Sequence, residues 1–453
     1  MASSKADVLV LGGGFAGLSC AALLAEKGAK VVLLEKKPHL GGRAYSFKDP
    51  ATGEPVDNGQ HLFMGCYRQT LRFLKTIGTA ERLRFLDPIR VDFADAQGGR
   101  AVLRCPQAFG APLHLALGVL GLRGLSWKDK WGLRRLDESL RQMRAGGVPE
   151  SLDRLTVRQW LDSLGQSRRI QERLFDPIAL GALNDDPGVA AATGFAQAMA
   201  QMFFSDVPSS RLGVSAVGLS ELYTGAAPRF IEARGGRVVA SKKLYGVNAS
   251  GGRVTGVVTD TAEVFEADTV VSTLAPWDLA RLDLPAPLRG PWEALKPAPI
   301  VSLSLWLDRV VIDEPLVGLL GTEIQWVFNK SRLLDQTGPG QCLNLVISGA
   351  HRHVALDPKA LLAIAERDLG KCLPAFKKAK ITAWKVVKEP FATLSPVPGS
   401  DALRPRAQSA LPGFLFAGDW TKTGLPATIE SAVTSGHLAA ELVLKGEAHA
   451  EVG

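Results

Sequence analysis

Gly12, Gly14 and Gly17 form a Gly-x-Gly-x-x-Gly set, and an acidic residue, Glu35, follows eighteen positions after the third glycine. Those residue types at that spacing bind a dinucleotide. Gly12 permits a tight turn, Gly14 lets a pyrophosphate approach the backbone with no Cβ in the way, and Gly17 lets a helix pack close on a strand. The unpaired N–H groups of the first helical turn, at Phe15 and Ala16, then face the phosphates with the positive end of the helix dipole. Glu35 accepts hydrogen bonds from ribose hydroxyls, and its charge disfavours a 2′-phosphate. Gly41-Gly42-Arg43 adds another flexible backbone and a guanidinium beside the same pyrophosphate, which a simple nicotinamide dehydrogenase does not need.

Positioning these groups takes a strand, a helix and a second strand. The apolar run Val8-Leu9-Val10-Leu11 reads as a buried parallel strand that turns through the glycines into an Ala/Leu-rich helix, with a stop at Lys27-Gly28. Lys30-Val31-Val32-Leu33-Leu34 is the second strand and delivers Glu35. Near the other end of the chain, Leu415-Phe416-Ala417-Gly418-Asp419 reads as a strand carrying a carboxylate, followed by a helix that starts within residues 427–430.

Glu35 followed by Gly41-Gly42-Arg43 resembles the amino-terminal signature of the flavin-dependent amine oxidase and phytoene desaturase superfamily, in which the dinucleotide is FAD. The 415–419 run resembles that superfamily's carboxy-terminal flavin motif. The resemblance implies Gly418 and Asp419 at the ribityl chain, the backbone around Thr428 and Ile429 at the pyrimidine edge of the flavin, and the backbone of Leu244, eight positions past Gly235-Gly236, at the adenine. Gly418-Asp419-Trp420-Thr421-Lys422 with Glu430-Ser431-Ala432-Val433 is similar to the carotenoid desaturase pattern. Asp57-Asn58-Gly59-Gln60-His61, Gly218-Leu219-Ser220-Glu221-Leu222-Tyr223 and Gly424-Leu425-Pro426-Ala427 look more specifically like the hydroxysqualene dehydroxylase family of squalene and hopanoid biosynthesis.

The fold expected is α/β: a Rossmann-like FAD-binding domain assembled from residues 1–70, 215–286 and 391–453, interleaved with an α+β substrate domain from residues 71–214 and 287–390. A chain of 453 residues with 46% apolar content supports a large core. Five scattered cysteines with no Cys-x-x-Cys pair argue against a disulfide framework and a zinc site, and for a reducing compartment. The start, Met1 to Lys5, passes at once into the first strand and leaves no room for a signal peptide, and no run of eighteen apolar residues predicts a membrane span. The expected location is cytoplasmic. Lys plus Arg exceed Asp plus Glu by 53 to 45, a net charge of +8 that by itself identifies neither lipid nor nucleic acid as a partner; no nucleic-acid partner is expected.

In chain order, residues 54–61 read as a strand passing into a loop that the resemblance brings back to the flavin ring, making Gln60 and His61 candidates for the substrate pocket. Residues 67–86 read as an amphipathic helix leaving the nucleotide domain. Residues 109–123 form an apolar, glycine-rich stretch flanked by Arg123, Trp127, Lys128, Lys130 and Trp131. It suits either a surface dipping into lipid headgroups, within a membrane-contact region near 108–131, or a buried helix lining an apolar tunnel. Helices are expected over 133–173, with Thr156 as a cap, over 190–204, and as one element over 218–231. Asp185 and Asp186 read as a turn capping a helix that starts after Pro187. A hairpin is expected at Gly251-Gly252, a parallel strand over 267–273, and an antiparallel sheet from alternating positions such as Val301 to Leu307.

The resemblance implies a long apolar isoprenoid substrate. Loss of hydroxide from an allylic alcohol leaves a delocalised cation that the hydride of reduced flavin quenches. The protein must supply an acid near the hydroxyl, for which His61 and Glu221 are the candidates, and an apolar enclosure that keeps water from the cation. The electron donor to the flavin is not legible. A phytoene or carotenoid desaturase, running hydride transfer the other way, and a non-catalytic flavin-binding lipid carrier are the alternatives.

Overall fold

Two strands buried along their whole length, Val8–Leu11 and Val31–Leu34, pair in parallel and seed the first sheet. A computed structural model of the chain describes residues 6–86, 89–106, 108–204 and 206–449; Met1 to Lys5, where the leader question lies, fall outside the described residues. The sheet has five parallel strands in the order Arg237–Val239, Val31–Leu34, Val8–Leu11, Val270–Ser272, Phe414–Phe416. Continuous apolar runs suit strands covered on both faces. Val8 and Val10 pack with the helices Phe15–Glu26 and Ile429–Leu444, whereas Leu9 and Leu11 pack against an antiparallel unit of Leu244–Ser250, Arg253–Thr259 and Val264–Glu266.

The second sheet has seven strands in the order Ile381–Leu394, Pro297–Leu307, Gln341–Ser348, Trp326–Asn329, Leu316–Leu320, Arg90–Asp95, Arg100–Arg104. All neighbours are antiparallel except Leu316–Leu320 with Arg90–Asp95. The alternation read in the sequence has its expected consequence: Val301, Leu303, Leu305 and Leu307 pack in one core with the helix Pro358–Cys372, and Ser302 and Ser304 point the other way.

Local readings changed in three places. The 67–86 helix is only Arg68–Thr76; Gly78 stops it, and Leu83–Phe85 is a strand paired with Leu212–Ser215. Its Phe73 and Leu74 are buried in the core of the first helix, so it covers the five-stranded sheet instead of leading away from it. The 218–231 helix is two helices, Leu219–Tyr223 and Ala226–Glu232, because Pro228 has no N–H to give to the Thr224 carbonyl. After Pro187 no helix begins until Ala192–Phe204; Asp186 accepts the Gly188 N–H in a turn, and Asp185 is buried, accepting the Ser395 hydroxyl at 2.6 Å.

Candidate functional site

The first helix begins at Phe15 with Gly14 as its N-cap and no side chain capping it, so the amides at Phe15 and Ala16 are left to an outside partner. The turn can be this tight only with glycine at position 17, where a Cβ would overlap the Gly12 carbonyl oxygen. Glu35, 6% exposed at the end of the second strand, accepts the Gly13 N–H at 2.7 Å and the Lys37 N–H at 2.8 Å. Leu244 opens the antiparallel unit just after Lys242, whose N–H donates to the Glu35 carbonyl at 2.8 Å. The Gly41 N–H donates to the Gly13 carbonyl at 2.8 Å, and a Cβ on Gly42 would lie 3.1 Å from the Gly14 Cα, so the two glycine loops face one another.

Arg43 joins the ends of the chain. Its Nη2 donates to Asp419 Oδ1 at 2.5 Å, 376 residues away, and its guanidinium lies 5.7 Å from the Trp277 ring centre. Asp419 and Gly418 follow the strand Phe414–Phe416, and the Gly418 N–H donates to Ser435 Oγ at 2.7 Å. Thr428 caps the helix Ile429–Leu444 by accepting the Ser431 N–H at 3.3 Å, and Ser431 Oγ donates to the Asp419 carbonyl at 3.1 Å, which ties the helix start, with Ile429, to the loop after the aspartate.

Three residues hold the cradle in ways the sequence did not show: Tyr223 and Glu430 stand in motifs that gave them no role of their own, and Arg404 stands in none. Tyr223 stacks on Phe15 at 3.8 Å, and its hydroxyl donates to the Gly41 and Ala44 carbonyls at 2.9 and 2.7 Å, clamping the Gly-Gly-Arg loop. Arg404, 7% exposed, donates to the carbonyls of Asp419, Trp420, Thr421 and Leu425 and so shapes the loop after the aspartate. Glu430 accepts the Gln69 and Thr70 amides and the Thr70 hydroxyl, capping the helix Arg68–Thr76 from another element.

A second polar group adjoins the cradle. His61 is half-buried, and its Nδ1 lies 2.8 Å from the Gly59 carbonyl. A carbonyl can only accept, so Nδ1 carries the proton and Nε2 of the neutral ring offers a lone pair. Burial holds the imidazole below its ordinary pKa; the Lys330 and Arg43 charges act the same way, against the Gly59 bond and the Asp57 charge. Lys330 Nζ donates to Asp57 Oδ2 at 2.7 Å and to Gln60 Oε1 at 3.1 Å, with the lysine and aspartate side chains 8% and 5% exposed. Asp57 also accepts the Ser46 hydroxyl at 2.6 Å and the Leu219 N–H at 3.2 Å. Burial alone would raise the Asp57 pKa, but Lys330 and these donors outweigh it and hold the carboxyl below its usual range. Glu221 stands outside the group: its short helix buries Leu219, Leu222 and Tyr223, which turns Glu221 to solvent.

A small recess opens where the helices Asp176–Leu183 and Ala192–Phe204 meet the segment before the helix Ile429–Leu444, lined by Leu183, Gly194, Leu394 and Pro426 and by the charged Asp153, Asp401 and Arg404. On the outside, the helix Leu113–Gly121 buries Leu115 and Val119 but leaves Leu113 and Leu120 exposed. Beside it Trp127 and Trp131, one turn apart on the helix Trp127–Gly146, are 80% and 68% exposed, with Lys130 and Arg134 over their rings. No described helix is long and apolar enough to cross a membrane.

An uncapped helix start, facing glycine loops, a carboxylate at the end of the second strand and an Arg43–Asp419 contact are the groups that a dinucleotide with a ribityl-linked ring requires. The comparisons agree. The family model described as flavin containing amine oxidoreductase matches residues 15–444. A hydroxysqualene dehydroxylase of Rhodopseudomonas palustris is 29% identical over 453 residues, covering 96% of this chain and 98% of the relative. A chloroplastic/chromoplastic 15-cis-phytoene desaturase of Glycine max is 27% identical, covering 97% and 79%. Among solved structures, cyclohexylamine oxidase from Brevibacterium oxydans superposes with a TM-score of 0.73 at 16% identity, covering 98% of this chain and 99% of that one, a likeness of fold.

Proposed function

The chain belongs to the family of flavin containing amine oxidoreductases, and from that premise we propose that this FAD-dependent oxidoreductase is a hydroxysqualene dehydroxylase, replacing an allylic C–OH of a C30 isoprenoid by C–H. The observation that carries the reading is the convergence of the three dehydroxylase-like segments on the cradle. Asp57 of the first segment accepts the Leu219 N–H of the second, Tyr223 clamps the Gly-Gly-Arg loop, and Leu425 of the third is held by Arg404 behind Asp419. The full-length relative of that name supports it.

The cofactor, when bound and reduced, supplies the hydride. The chain has three tasks. Phe15, Ala16, Glu35, Gly42, Arg43, Leu244, Asp419, Thr428 and Ile429 hold the dinucleotide. An apolar enclosure over the flavin ring must keep water from the cation. His61, protonated at Nε2, gives a proton to the departing hydroxyl. Because its pKa is depressed, the acid form gains population as pH falls below the ordinary histidine range of about 6.5, so turnover should rise in that direction. Incubation of the holoprotein with hydroxysqualene and reduced FAD, and separately with phytoene and oxidised FAD, tests the reading. Squalene from the first supports it; desaturation in the second with no squalene assigns the chain to the desaturases, and no turnover in either leaves a carrier.

The exposed Trp127, Trp131, Leu113 and Leu120, with basic residues at their margins, support peripheral docking on a membrane from which so apolar a substrate is drawn. Replacing Trp127 and Trp131 by Ala should move the protein from the floating to the soluble fraction in liposome flotation; unchanged flotation would discard the docking face.

A further inference from the structure

On the second sheet, Ser302 is 1% exposed and its hydroxyl has no hydrogen-bond partner. A buried hydroxyl normally finds one. Strand register places Ser302 between Val346 and Val387, on the face opposite the Leu303 core, where it meets the loop carrying Gly59 and His61. Gly59 is itself buried, yet a methyl group on it would meet only Ser302 Oγ, at 3.7 Å, and His61 Cε1, at 4.0 Å. The three residues therefore border a small hollow on the open side of Gly59. One wall is an unspent hydroxyl and another is an imidazole. Two residues along the same face, Asn344 Oδ1 is also buried without a partner, while its Nδ2 donates to Ser304 Oγ at 3.2 Å.

We propose that Ser302 and His61 form an oxygen-recognition subsite that selects an isoprenoid bearing a hydroxyl over the corresponding hydrocarbon. Ser302 is the specificity-determining residue: its hydroxyl donates to the substrate oxygen and holds it against the His61 ring. The inference rests on the reading of the chain as acting on an alcohol. An apolar residue at this position would pack equally well and recognise nothing.

The test is binding to the oxidised holoenzyme, which has no hydride to give, followed by the change in flavin fluorescence. Wild type should bind hydroxysqualene about tenfold more tightly than squalene, the scale of one net hydrogen bond. Ser302→Ala should bring the two to parity with squalene binding unchanged, and Ser302→Thr should keep the preference. Gly59→Ala, which fills the hollow without a steric clash, should abolish the preference by exclusion and serves if Ser302→Ala fails to fold. A preference that survives Ser302→Ala or Gly59→Ala overturns the subsite, as does a wild type that binds both ligands equally. The two readings fail separately. Squalene formation by a protein whose preference ignores Ser302 leaves the dehydroxylase and removes the subsite; a Ser302-dependent preference without squalene formation does the reverse.

Discussion

Asp57→Asn should lose about 3–5 kcal/mol of stability, the usual consequence of leaving one member of a buried ion pair without its partner. Lys330 would remain 8% exposed with Gln60 Oε1 as its remaining acceptor. Denaturant melts of the two proteins measure the loss. Because the folded pKa of Asp57 is depressed, its contribution is fully present above the unfolded carboxylate pKa of about 3.9 and disappears as pH falls through the lower, folded value. The gap between wild type and Asp57→Asn should therefore be constant from neutral pH to about pH 5 and close only under stronger acid. Replacing both partners, Asp57→Leu with Lys330→Met, should recover part of the loss, the remainder reflecting the Ser46 and Leu219 donors left unpaired. A single variant as stable as wild type would show that the Asp57–Lys330 pair does not hold the loop before Gly59 against the seven-stranded sheet.

Gly436→Ala should release FAD and lower stability by about 1–3 kcal/mol, although alanine is the better helix former. Gly436 lies within the helix Ile429–Leu444, and a Cβ there would run into the Ala16 carbonyl and come 2.8 Å from Ser19 Oγ. The two helices would separate at the first turn of the dinucleotide cradle. Gly370, inside the helix Pro358–Cys372, is the control: a Cβ there meets nothing within 4 Å, so Gly370→Ala should be neutral or up to about 1 kcal/mol stabilising. Flavin content after gel filtration, with thermal melts of both variants, separates steric separation from any general effect of glycine replacement.

The strand, glycine turn, helix and second strand could be read from the sequence because a tight turn constrains backbone, and backbone constraints are written as glycine spacing. The strand alternation at Val301–Leu307 was equally direct, since only one face could be apolar. What could not be read depends on contacts between distant segments. Lys330 follows a strand end, where a lysine is ordinarily solvated, and only the folded chain brings it 273 residues back to Asp57. Ser302 sits at what alternation marks as an outward position, and only the loop around Gly59 makes it internal. Glu221 shared a motif with residues at the cradle, yet helical geometry turned it to solvent once Leu219, Leu222 and Tyr223 were buried. The apolar 109–123 stretch was ambiguous for the same reason: burial of Leu115 and exposure of Leu120 are decided by the neighbouring sheet edge, not by composition.

The direction of hydride transfer is the most direct measurement. Holoprotein reduced without oxygen and then mixed with hydroxysqualene should regain the absorbance of oxidised flavin in a single turnover, with one squalene formed per flavin. Flavin that stays reduced with the alcohol, while oxidised holoprotein is bleached by phytoene, would contradict the account.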